Sequence, residues 1–126
     1  MPLENSKSLS IVIPVFNEIN FLYKLFDQIK FYFNSENIEI IVVDDGSTDG
    51  SSNLLKEIKD KKNYKFFFKL IQLDINSGKG KAIQTGIKNS EGEYIILQDA
   101  DLELDGNIFK ECLYSVIEMY LKQQEG

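Results

Sequence analysis

Tyr94-Ile95-Ile96-Leu97-Gln98-Asp99-Ala100-Asp101-Leu102-Glu103 is the stretch on which the fold turns. Its apolar start is β-branched and aromatic, as strands are. Asp and Glu are poor strand residues, so the strand ends near Gln98 and leaves the acids at its carboxyl end. Open parallel α/β sheets bind ligands outside the carboxyl ends of their strands. Asp99 and Asp101 are two residues apart, so on extended backbone they project to one side, and Glu103 keeps that phase. Three hard oxygen donors beside a ligand crevice suit a divalent cation that keeps several waters and also holds substrate phosphates. A bare Asp-x-Asp is a short pattern, and a solvated loop with Asp105 capping the next helix is the plainer alternative.

The chain before this stretch repeats strand and helix. Ser8 to Pro14 reads as a strand covered on both faces, with Pro14 as its expected end. Ile19, Leu22, Leu25, Phe26, Ile29 and Phe33 follow at helical spacing, behind Asn17 or Asn20 as cap. Ile38 to Val43 is the second strand, closed by the turn Asp44-Asp45-Gly46-Ser47-Thr48-Asp49-Gly50. Ser47 or Thr48 then caps a helix through Leu54, Leu55 and Ile58. Phe66 to Leu73 is the third strand. After the turn Asp74 to Gly80, a helix to about Asn89 turns Ala82, Ile83 and Ile87 inward, and Glu93 to Leu97 is the fourth strand. Ile108, Cys112, Val116, Met119 and Tyr120 mark a last helix.

Strands alternating with helices predict an α/β fold: a parallel sheet, order 3-2-1-4, with right-handed crossovers and helices on both faces. Such a sheet is Rossmann-like, with its switch point between strands 1 and 4. The loops after strands 1, 2 and 4 then meet at one rim. They bring Asn17 and Glu18, Asp44 and Asp45, and Asp99, Asp101 and Glu103 together. These groups repel one another without protonation or a cation. A divalent ion bridging a diphosphate resolves the conflict. Asp44 and Asp45, as acceptors, suit ribose hydroxyls or a base N–H. Turn and cap chemistry explains the glycines and hydroxyls of that loop but does not need two acids ahead of them. Lys79 and Lys81, in Asn76-Ser77-Gly78-Lys79-Gly80-Lys81, can meet phosphate, although Lys81 is equally well explained as a solvated helix-start lysine. The chain lacks both G-x-x-x-x-G-K-[ST] and a G-x-G-x-x-G after the first strand.

Composition narrows the classes further. The chain has 126 residues, 43% of them hydrophobic, which matches one domain with a real core. Its net charge of −6 does not attract nucleic acid or anionic lipid. Having no histidine excludes histidine triads and histidine metal sites. The single cysteine, Cys112, forms no intrachain disulfide and reads as a small buried apolar residue, which fits a reducing compartment. Met1 to Ser10 lacks a signal-peptide apolar core, and no stretch nears the roughly 20 apolar residues of a membrane-spanning helix. The expected location is the cytoplasm, or the periphery of a membrane's inner face.

Four segments match a known family in order and spacing: Ile13-Pro14-Val15-Phe16-Asn17-Glu18, Val42 to Gly50, Asn76 to Ala82, and Gln98 to Glu103. Over residues 9 to about 110 the chain resembles the N-terminal part of an inverting family 2 glycosyltransferase of GT-A fold, nearest the polyprenyl- and dolichyl-phosphate sugar synthases. The resemblance implies that Pro14, Phe16 and Glu18 line a nucleotide pocket. It implies that Val43 and Asp45, with Asp44, hold base and ribose. Asp99, Ala100 and Asp101 would contact the nucleotide-sugar, with Asp101 and Glu103 on Mg²⁺ or Mn²⁺. The implied donor is a UDP- or GDP-sugar, the acceptor a lipid phosphate or glycan, and the setting cell-envelope or glycan biosynthesis. Glu103 stands where many relatives carry Gln, and Gly106 where Pro is common. Family catalytic domains are about twice this long. Residues 1–8 are therefore expected to be a flexible N-terminus and residues 9–126 a donor-binding domain cut short on its C-terminal side. The general base and acceptor site are expected beyond Gly126. The alternative is a catalytically incomplete donor-binding module, or one that forms a homodimer through its uncovered sheet edge. A sugar nucleotidyltransferase should carry a Gly-rich basic loop after strand 1, and Pro14 to Glu18 is not one.

Overall fold

Leu9–Val15 (β1) and Ile38–Asp45 (β2) form the centre of the sheet, and 14 of their 15 residues are buried. Near-continuous Ile and Val runs suit strands packed on both faces. The computed structural model describes residues 7–100. Among these, β1 is followed by Ile19–Tyr32 (α1) and β2 by Ser51–Lys61 (α2). Phe67–Leu73 (β3), Lys79–Lys88 (α3) and Tyr94–Leu97 (β4) complete the order. All strands are parallel and run β3-β2-β1-β4, as expected from the sequence.

Successive strand residues face opposite sides, so two cores form. Ile11, Ile13, Ile40 and Val42 pack under Leu22, Leu25, Phe26 and Ile29 of α1 and Leu54, Leu55 and Ile58 of α2. Val12, Ile41 and Val43 face the other way, against Ala82 of α3. The buried stripe of α3 is Ala82 and Gly86, so the helix lies close on the sheet. A Cβ on Gly86 would come within 2.4 Å of Val12 Cγ1. Ile87, expected to point inward, is 41% exposed, because the closeness comes from the small residues instead.

Three boundaries differ from expectation for stated reasons. Pro14 does not end the first strand, which runs on to Val15 and pairs Pro14 with Val43. The Val12 carbonyl accepts from the Gln98 N–H, so residue 14, two further on, also turns its backbone toward β4. Since β4 pairs with β1 only as far as Val12, the missing N–H of Pro14 breaks no ladder bond. β2 likewise extends through Asp44 and Asp45, paired with Gln72 and Leu73 of β3. The expected caps are also replaced. Glu18 and Gly50 hold the cap positions of α1 and α2, and neither side chain caps. The start of α1 is served from the β2–α2 loop instead. Asn17 N donates to Ser47 Oγ, Glu18 N to Ser51 Oγ and Ile19 N to Asp49 Oδ2. The expected helix through Ile108, Cys112 and Tyr120 lies outside the described residues.

At the amino end of the strands, Glu39 is fully buried on the α3 face. Its Oε1 accepts from Ser10 Oγ and Glu91 N, and Lys69 Nζ lies 3.0 Å from Oε2. A buried carboxylate is tolerable only with such partners. The cluster fixes the α3–β4 connection at the end of the sheet opposite the acids.

Candidate functional site

The strand extension separates the two acids of the β2–α2 turn. Asp44 shares the face of Ile40 and Val42, toward α2. Its Oδ1 accepts from Ser47 N at 3.1 Å and its Oδ2 from Ser52 Oγ. Asp45 shares the face of Ile41 and Val43, toward α3. Its Oδ1 accepts from Ser77 N at 2.7 Å and its Oδ2 from Gly78 N at 2.9 Å. Asp44 thus organises the turn before α2, while Asp45 grips the loop before α3.

That loop also touches the β2–α2 turn. Gly46 has φ +74°, and a Cβ there would sit 2.7 Å from the backbone nitrogen of Asn76. Glycine meets both demands at this position. Asn17, with φ 54°, ties the β1–α1 corner to the same turn by accepting from Thr48 N at 2.7 Å. Asp49 joins the corner by accepting from Ser51 Oγ, Ser51 N and Ile19 N. Some loss of hydration pushes the pKa of this exposed carboxyl up, but these donors outweigh it and hold the group below its usual 3.8.

A cavity of about 210 Å³ opens at the carboxyl edge between β1 and β4. Pro14 and Val15 at the end of β1 and Phe16 and Glu18 after it line the cavity, with Asp45 at the end of β2. Asn76 and Gly78 come from the loop after β3, Lys79 and Ala82 from the start of α3, and Asp99 and Ala100 from the chain after β4. Small-molecule sites usually measure roughly 300–1,000 Å³, so the described walls enclose part of a nucleotide-sized ligand. Lys79 Nζ lies 2.5 Å from Asp99 Oδ1, joining the start of α3 to the end of β4.

Of the site residues read from the sequence, Pro14, Phe16, Glu18, Asp45, Lys79, Asp99 and Ala100 come together on this cavity. Val43 and Asp44 do not line it. Val43 is fully buried in the core beneath Ala82, and Asp44 faces α2. Asp101 and Glu103 lie outside the described residues. Sequence reading assigned no role to Val15, Asn76, Gly78 or Ala82. All four sit in segments quoted for the family resemblance, which for Val15, Asn76 and Gly78 was the only signal, Ala82 being expected on the inward face of its helix.

The carboxylates can be tested against a divalent cation. Asp45 is 3% exposed and both its oxygens are committed to N–H groups, so it is poorly placed as a ligand. Asp99 fits: it lines the cavity, its side chain is 36% exposed, and one oxygen already faces a cationic group. Among the described residues no cluster of three or more potential ligands occurs. A single protein carboxylate with waters and substrate phosphates is nonetheless an ordinary arrangement for Mg²⁺.

A parallel sheet with helices on both faces, and a crevice where its strand order reverses, is a doubly wound α/β architecture, which sites ligands at such a crevice. More particularly, residues 10–122 match the family model described as glycosyl transferase family 2, and the chain belongs to that family. It is 36% identical over 99 residues to an undecaprenyl-phosphate 4-deoxy-4-formamido-L-arabinose transferase of Aeromonas hydrophila. That match covers 77% of this chain and 30% of the relative. It is also 36% identical over 107 residues to a dolichyl-phosphate beta-glucosyltransferase of Dictyostelium discoideum, covering 79% and 32%. Among solved structures, S. aureus TarS 1-349 in complex with UDP-GlcNAc aligns with a TM-score of 0.72 at 26% identity. It covers 88% of this chain and 31% of that one. The Pyrobaculum calidifontis mannosyltransferase PcManGT, in complex with GDP-Man and Mn²⁺, shares the fold. Its TM-score is 0.73 at 21% identity, covering 90% and 35%. The chain thus spans about a third of the length of these proteins, and 15% of a glycosyltransferase of Rickettsia conorii to which it is 37% identical.

Proposed function

We propose that this chain carries the donor-binding part of an inverting sugar transferase, and that the cavity between β1 and β4 receives the nucleoside diphosphate of a UDP- or GDP-sugar. The observation that carries the reading is the convergence of all four strand-end segments on one cavity, with Asp99 and Lys79 paired at 2.5 Å. The family relationship supports it, as does the likeness to a structure holding UDP-GlcNAc. Phe16 and Pro14 offer apolar surface to the base. Asp45 keeps the Asn76–Lys79 loop in position beside it. Lys79 supplies positive charge for phosphate in a chain whose net charge is −6. Asp99, with Asp101 and Glu103, is the proposed ligand set for Mg²⁺ or Mn²⁺. When bound, such an ion supplies Lewis-acid stabilisation to the departing diphosphate.

The transfer is a single displacement. An acceptor oxygen forms a bond to the anomeric carbon, and the bond from that carbon to the diphosphate oxygen breaks, its electron pair leaving with the diphosphate. A hydroxyl acceptor loses its proton to a base, whereas a phosphate acceptor arrives as the anion and needs none. The two prenyl-phosphate relatives favour the second case, with a polyprenyl phosphate as acceptor. No helix among the described residues is long and apolar enough to cross a membrane. Calorimetric titration of the chain with UDP- and GDP-sugars tests the donor site. Binding in Mn²⁺ that disappears in EDTA is expected. Binding of neither donor, or binding indifferent to EDTA, refutes the proposal.

A further inference from the structure

We infer that Lys79 is an exchangeable placeholder: its ammonium sits on the Asp99 carboxylate for which a divalent cation would compete, and the incoming cation hands it over to the donor's phosphates. The inference rests on the donor-site reading above and adds to it a coupling between the two ligands.

The geometry supplies each part. The 2.5 Å contact places the ammonium on Asp99 Oδ1, at the cavity. The side chains are 61% and 36% exposed, so water screens the pair and this one contact contributes little energy. The backbone beneath Lys79 is fixed, because Asp45 accepts from both Ser77 N and Gly78 N immediately before it. Lys79 is therefore a flexible four-carbon stem on an anchored base, and its head can move without the loop moving. A divalent ion and an ammonium on the same carboxylate stand a few ångströms apart and repel each other, so they compete for it. The ion carries twice the charge, so it prevails at sufficient concentration. The ammonium leaving Asp99 remains at the same cavity, where phosphates held on that ion would accept from it.

Two consequences of opposite sign follow. Lys79 weakens binding of the cation alone and strengthens binding of the nucleotide once the cation is in place. A residue that merely stabilised the fold would shift both in the same direction. Linkage then makes cation and nucleotide each favour the other's binding beyond their direct contact.

The test uses the full 126-residue chain, with Mn²⁺ binding followed by electron paramagnetic resonance and UDP binding by calorimetry in saturating Mn²⁺. Sites elsewhere on this acidic chain are removed by subtracting the D99N variant. Lys79→Met should tighten Mn²⁺ alone about two- to fivefold, the range set by exposed ion pairs. It should also weaken UDP several-fold. Lys79→Arg keeps the charge and should resemble the parent in both measurements. Unchanged or weaker Mn²⁺ binding in Lys79→Met overturns the inference while leaving the donor site standing. Tighter Mn²⁺ with unchanged UDP affinity refutes the hand-over to phosphate. No Mn²⁺ binding that depends on Asp99 in the parent chain removes the donor-site reading and this inference with it.

Discussion

Gly86→Ala sets two effects of known size against each other. Gly86 lies inside α3, where alanine is favoured over glycine by about 1 kcal/mol. On propensity alone the variant is stabilised. The sheet beneath opposes this. The new methyl would lie 2.4 Å from Val12 Cγ1 and 3.3 Å from Val43 Cγ2, both on fully buried strand residues. Relief requires about 1 Å of helix lift, and overpacking of this kind costs about 1–3 kcal/mol. The clash therefore wins in most of that range. The net expectation is a loss of up to about 2 kcal/mol, which lowers Tm by several degrees for a chain this size. Lifting α3 also moves Ala82 and Lys79, so donor binding should weaken with stability. Urea unfolding with a double-mutant cycle measures this directly. Val12→Ala removes the struck methyl, so Gly86→Ala should cost less in that background, whereas a helix lying further off would show no such coupling. A Gly86→Ala chain more stable than the parent, with no coupling to position 12, would refute the close contact between α3 and β1.

Two further outcomes follow from the same geometry. Asp45→Asn replaces one acceptor oxygen with a donor, leaving Ser77 N or Gly78 N facing an N–H. Losing one such charge-assisted bond should destabilise the chain by about 1.5–3 kcal/mol in urea unfolding, and the unclasped loop should bind nucleotide more weakly; an unchanged midpoint contradicts the clasp. Asp49 has its folded pKa depressed, so its contribution to stability is present above the unfolded value near 3.8 and fades as pH falls through the folded one. The gap in Tm between the parent and Asp49→Asn should therefore be larger at pH 7 than at pH 3, and a gap independent of pH counts against the donors assigned to that carboxyl.

The sequence carried the sheet order because strand and helix signals alternate cleanly, and handedness leaves few topologies for such a pattern. It also brought Glu18, Asp45 and Asp99 to one rim, since residues at strand ends inherit their positions from that order, whereas Pro14 and Phe16 came from the family resemblance and Lys79 from its glycine loop. Features set by long-range partners were not legible. Pro14 looked like a strand end because nothing local reveals that β4 is too short to need its N–H. Asp44 and Asp45 looked equivalent because a turn assignment hides the alternation that sends them to opposite faces. The caps of α1 were misplaced because Ser47, Ser51 and Asp49 reach them from about 30 residues away, and such contacts leave no local pattern. Ile87, expected inward, is exposed and Gly86 is buried instead, because a helix pressed closely on a sheet selects small residues at its contact, whereas hydrophobic periodicity seeks large ones.

The most direct measurement is an amide NMR spectrum of the ¹⁵N-labelled chain with UDP and substoichiometric Mn²⁺. If the strand-end loops share one cation with a diphosphate, paramagnetic broadening should be strongest at Phe16, Gly78, Lys79 and Ala100. It should be weakest at the opposite end of the sheet, around Ser35 and Glu91. Broadening centred on that opposite end, with the cavity residues unaffected, would contradict the account.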